Sequence, residues 1–85
     1  MNNVNENQFK EFYKTSDLGL ATTISLYFPI ITTERINPRK VLFIFDKTDD
    51  LNKFIDQYWR GEVVVEPQKF TNQIKSIKDR IYSET

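Results

Sequence analysis

Val41-Leu42-Phe43-Ile44-Phe45 decides how this chain folds. A run of five apolar residues, two of them aromatic, reads as a short strand buried on both faces. Side chains alternate along a strand, so Val41, Phe43 and Phe45 point one way and Leu42 and Ile44 the other. Leaving either set in water forfeits roughly 1.5–3 kcal/mol per large side chain. Each face therefore needs a cover, and the flanking segments must supply it.

Upstream, Ile30 to Ile36 forms a second strand whose Thr32-Thr33-Glu34-Arg35 centre is polar enough for a sheet edge. Asn37-Pro38-Arg39-Lys40 is a turn, so this strand and Val41–Phe45 pair as an antiparallel hairpin. Further back, Phe9 to Lys14 makes a first strand, with Phe12 and Tyr13 on opposite faces. Thr15 or Ser16 caps a helix that carries Asp17 in its first turn. Leu18, Leu20, Ala21, Ile24, Tyr27 and Phe28 give that helix a broad apolar stripe, and Pro29 ends it.

Downstream, Thr48-Asp49-Asp50 starts a second helix. Leu51, Phe54, Ile55, Tyr58 and Trp59 fall at i, i+3, i+4, i+7 and i+8, a single stripe. Gly61 is its stop signal. Glu62 to Glu66, with Val63-Val64-Val65 inside, reads as a fourth strand. Pro67 suits the first turn of a last helix with a narrow seam of Phe70, Ile74, Ile77 and Ile81.

The order is an α+β, ferredoxin-like β-α-β-β-α-β antiparallel sheet with an additional C-terminal helix. That plan places the first and third strands in the centre and two helices on one face. The last helix is expected to cover the other face; the rival is that it projects onto a second copy or a partner. Residues 1–8, polar and Asn-rich, read as a flexible tail, and residues 9–83 as a single domain.

Bulk composition narrows the chemistry. The 85 residues bound one modest core, and 39% hydrophobic and 14% aromatic content fits a folded globule. Lys+Arg and Asp+Glu balance at 12 each, so no global charge draws in nucleic acid or an anionic membrane. The chain has no Cys and no His, which removes disulfides, thiolate nucleophiles, Ser-His-Asp catalysis and Cys- or His-ligated metals. No apolar run approaches the roughly 18 residues of a membrane span. Met1–Asn7 has neither the basic nor the apolar region of a signal peptide, so a cytoplasmic location is expected.

Several local features could carry function. Arg35, Arg39 and Lys40 surround the hairpin turn, where cations can meet phosphates or simply discourage edge pairing. Lys69, Gln73 and Arg80 share one flank of the last helix, with Lys75 and Lys78 towards the other. Together Arg35, Arg39, Lys40, Lys69, Lys75, Lys78 and Arg80 are the candidate contacts for phosphate or an acidic partner. Asp46, Asp49 and Asp50 could hold Mg²⁺, against the plainer reading of N-capping and helix-dipole charges. Tyr58, Trp59 and Arg60 are residue types enriched at binding hot spots, although their helical spacing also suits the core.

Arg39 to Asp46 with the helix after it loosely resembles the third strand and second helix of an RNA-recognition motif. Aligned on the final aromatic, Lys40, Leu42 and Ile44 occupy the open face, where that motif needs stacking aromatics. Phe43 and Phe45 then face the core, which counts against base stacking.

Tyr13-Lys14-Thr15-Ser16-Asp17-Leu18 with Ala21, the Phe43-Ile44-Phe45 strand, and Tyr58-Trp59-Arg60-Gly61-Glu62 before a closing helix resemble a second pattern. It is that of a family of short domains of unknown function from bacteria, archaea and their phages. The resemblance covers most of the chain and implies a stand-alone small protein, from a phage or mobile element, with no established activity.

The expected role is thus a small non-catalytic binding module that engages another protein, as adaptor or inhibitor, or a second copy of itself. No cofactor and no membrane are expected. The alternative is an accessory protein that binds nucleic acid through the basic hairpin tip and the last helix.

Overall fold

The computed structural model describes residues 10–83. The expected tail lies outside these residues. The elements are β1 (Phe12–Thr15), α1 (Leu18–Ser25), β2 (Thr32–Asn37), β3 (Lys40–Asp46), α2 (Asp49–Trp59) and α3 (Pro67–Ser83). The fold is α+β, with a three-stranded antiparallel sheet ordered β1-β3-β2. β3, which contains the apolar run, is the central strand and pairs Phe45 with Tyr13 and Val41 with Arg35.

Two expectations fail. The fourth strand does not form: Val63 and Val65 are half-buried and Val64 is 82% exposed, so the segment is extended without joining the sheet. Tyr27 Oη donates to Val64 O at 3.3 Å, which ties this segment to the chain just after α1. The sheet is therefore not ferredoxin-like in full, and β1 becomes an edge strand instead of a central one.

The last helix also takes an unexpected side. Ile77 joins Leu20, Ile24, Leu51, Ile55, Val41, Phe43 and Phe45 in one cluster, so all three helices pack on the same sheet face. A narrow seam without the fourth strand leaves α3 room beside α1, where its apolar residues meet an existing core. Ser25 faces Gln73, with Gln73 Nε2 donating to Ser25 Oγ at 2.9 Å, so α3 runs back along α1.

α1 is the hub of the helix layer. Leu20 to Ile24 are all buried, because α1 packs against both α2 and α3 and is built of small or apolar residues. Its two buried hydroxyls stay satisfied locally: Thr22 Oγ1 donates to Leu18 O at 2.7 Å and Thr23 Oγ1 to Gly19 O at 2.8 Å. Asp17, expected inside the first turn, is instead the N-cap and accepts from Leu20 N at 3.0 Å. Thr48 caps α2 as expected, accepting from Leu51 N at 3.0 Å. Glu66 caps α3 by accepting from Gln68 N and Lys69 N, so the residue assigned to a strand begins a helix. Gly61 follows α2 with φ 73°, the left-handed conformation that a terminating glycine adopts without a Cβ penalty.

The opposite sheet face carries no helix of the core cluster. Ile44 is only 8% exposed and Leu42 half-buried, yet neither joins that cluster. The register puts Lys14 beside Ile44 and Glu34 beside Leu42, and Lys14 Nζ lies 3.6 Å from Glu34 Oε1. The aliphatic stems of this pair stand beside Ile44 and Leu42.

Candidate functional site

The three hairpin cations do not all gather, because Lys40 is on the other face from Arg35. Arg35 pairs with Val41 and so lies on the helix face, where it donates Nη2 to Ile81 O at 2.8 Å and Nη1 to Pro38 O at 3.3 Å. It thus links the β2–β3 turn to the last turn of α3, where a cation also opposes the negative helix end. Lys40 alternates with Val41 and belongs to the opposite face. Arg39 sits in the turn between them, and its backbone N–H donates to Asn37 Oδ1 at 2.8 Å. Its guanidinium makes no hydrogen bond or ion pair among the described residues.

Arg35 and Arg39 rim a cleft of about 380 Å³ at one corner of the molecule. Val41 and Phe43 form its floor, and Leu18 and Ile81 its apolar walls. Among the described residues no Asp or Glu lines it. Asp17, next in sequence to Leu18, keeps its carboxylate on Leu20 N as the helix cap. A smaller cavity of about 90 Å³ adjoins across Phe43 and Ile81, and Arg80 is among its lining residues.

The other candidate cations are dispersed on α3. Lys69, Lys75 and Lys78 are exposed along it. Gln73, read as part of a charged flank, is half-buried by its bond to Ser25.

The carboxylates have structural partners. Asp46 Oδ1 is shielded from water and faces Lys10 Nζ at 3.1 Å, an ion pair without aligned hydrogen-bond geometry. Asp49 and Asp50 lie in the first turn of α2. Among the described residues no group of three or more His, Cys, Asp or Glu could hold a metal ion.

The aromatic triplet is better assembled than its sequence suggests. Phe54 meets Phe28 at 5.5 Å and Tyr27 at 5.2 Å between ring centroids, which sets α2 along α1. One turn on, half-buried Tyr58 packs edge-to-face against Trp59 at 5.0 Å and 86°. Trp59 itself is 64% exposed, more than the single edge near Gly61 that a place in the apolar stripe leaves open. Arg60 is held by Glu62, Nε to Oε2 at 3.2 Å. The exposed members of these two ring clusters are Tyr27, 57% exposed, and Trp59, and the part of the surface around Trp59 is the Trp59 ridge.

The Thr-x-Asp-Leu start is now seen as strand end and helix cap, the Phe-x-Phe strand as the sheet centre, and Gly61-Glu62 as the helix stop. A family model spans all of them, from residue 10 to residue 83. The chain belongs to the family described as Domain of unknown function (DUF5659). No curated protein and no solved structure matches it. The family's description states no function.

No described helix is long and apolar enough to cross a membrane. On the open sheet face β3 presents Lys40, Leu42, Ile44 and Asp46, and β1 adds Phe12, 46% exposed. Phe43 and Phe45 are buried on the other side. The face therefore lacks the central aromatic platform on which bases stack.

Proposed function

We propose that this protein is a small non-catalytic module that binds another protein through the Trp59 ridge, as an adaptor or inhibitor. The carrying observation is Trp59, 64% exposed and held edge-on by the Tyr58 ring beside Arg60. An aromatic residue has few rotatable bonds to freeze on binding, and Trp, Tyr and Arg dominate interface hot spots. In water alone such a ridge forfeits apolar burial that a partner supplies. The dispersal of the cations weakens the nucleic-acid reading: Arg35 is committed to two carbonyls, and Lys40 lies on the far face. A few separated charges give weak affinity that falls steeply with salt.

The test is a titration of the full chain with labelled single- and double-stranded oligonucleotides at physiological salt, read by anisotropy. The expected result is no saturable binding. Binding that persists and weakens in an Arg35→Ala/Arg39→Ala/Lys40→Ala variant would replace this reading with the nucleic-acid one.

A further inference from the structure

The corner cleft has a chemistry of its own, separate from the Trp59 ridge. Most of its lining is aliphatic or aromatic, Ser16, Arg35 and Arg39 are its polar members, and among the described residues no carboxylate lines it. In a chain whose charges balance, such a local imbalance of sign is informative. Arg35 is anchored at Pro38 O and Ile81 O, so the rim is rigid on that side. Arg39 has no ion-pair or hydrogen-bond partner for its guanidinium among the described residues.

We propose that this cleft takes up an acidic, apolar segment of a partner protein. A bulky apolar side chain of the segment enters between Leu18 and Ile81, and a carboxylate beside it pairs with Arg39. Three observations favour this occupant. The volume of about 380 Å³ accommodates one or two side chains. The planar guanidinium binds a carboxylate through two parallel hydrogen bonds. The Phe43 ring is only 2% exposed, so the floor offers a nucleic-acid base little to stack on. The inference goes beyond the protein-binding reading, because it uses a second surface and names the chemistry of what that surface takes.

The experiment is selection of a displayed random dodecapeptide library on the full chain, followed by affinity measurements on the Arg39→Gln and Trp59→Ala variants. Arg39 stands in an exposed turn, so its replacement leaves the core intact. The account expects enriched peptides that place Asp or Glu next to a bulky apolar residue. Their binding should weaken at least about fivefold in Arg39→Gln, the loss of one charge-assisted contact, and be unchanged in Trp59→Ala. Amide shifts should centre on Leu18, Arg39, Val41 and Ile81. Failure to enrich, enrichment of basic or uncharged peptides, or equal binding to Arg39→Gln would overturn it. So would a single-stranded oligonucleotide that moves the same amides at physiological salt. Loss in Trp59→Ala alone would return the peptides to the ridge and leave the protein-binding reading standing.

Discussion

Lys14 and Glu34 sit on opposite edge strands and meet across the central one, Nζ to Oε1 at 3.6 Å. The pair crosses the face that no core helix covers, over Leu42 and Ile44. Both side chains are half exposed, so the charges themselves add little; exposed pairs contribute about 0.2–1 kcal/mol. The larger effect is expected from their stems, which stand beside Ile44 and Leu42 in the register. A Lys14→Met/Glu34→Gln variant keeps the stems and loses the charges. Its urea midpoint should move little, and the residual difference should vanish in high salt. Lys14→Ala/Glu34→Ala should destabilise clearly more, because it uncovers the strand.

The two faces of β3 should respond differently to truncation. Phe45 is fully buried among the helices, and Phe45→Ala should cost about 3–5 kcal/mol. Domains hold only about 0.05–0.15 kcal/mol per residue, so this single change should remove a large share of the total stability. Leu42→Ala, on the face without a helix, should cost about 1–2 kcal/mol, below the usual core range. Equilibrium urea unfolding of both variants measures the contrast.

Arg35 fastens the end of α3 to the hairpin. Arg35→Lys cannot span both carbonyls in the same way, since a lysine has one donor centre. It should cost about 0.5–1.5 kcal/mol. Amide hydrogen exchange in the last turn of α3 should accelerate, while the centre of α1 should be unchanged.

Burial raises the Tyr13 phenol above its ordinary value near 10, and the Asp17 charge pushes the same way; the Thr15 hydrogen bond opposes them. The folded state therefore holds this proton more tightly than the unfolded chain. Below pH 10 both states are protonated and the group has no effect on stability. As pH rises past 10 the unfolded chain ionises first, so stability falls until the folded phenol also ionises. Tyr13→Phe should lose less stability than the parent between pH 9 and pH 11, as read by urea unfolding at each pH.

Much of this architecture is legible in the residues because local signals agree with it. Thr48-Asp49-Asp50, Gly61 and Pro67 mark helix ends through backbone chemistry that acts within a few residues. The alternation of Val41–Phe45 places Phe43 and Phe45 inside whatever covers the strand. The misreadings all concern what meets what. Val63-Val64-Val65 has strand propensity, but a strand needs a ladder partner, and no short-range pattern states whether one is present. The seam of α3 says that it packs on something, and α1, built of small or apolar residues, is that surface. Trp59 occupies an apolar stripe, yet the stripe is wider than the groove it fills, so its last member stays outside. The corner cleft was not legible at all. In the sequence Arg35 and Arg39 read as one basic tip, whereas Leu18 and Ile81, distant from them along the chain, complete the site only in three dimensions.

The central functional claim is that Trp59 is a binding residue and not a structural one. Parent and Trp59→Ala chains should first be shown to unfold within about 0.5 kcal/mol of each other, as suits an exposed side chain. Each is then immobilised and exposed to an extract of the source organism, with and without nuclease, and the retained proteins are quantified by mass spectrometry. The account predicts at least one protein retained by the parent, insensitive to nuclease and reduced about tenfold or more by Trp59→Ala. Equal retention by both chains, or retention that disappears with nuclease, contradicts it.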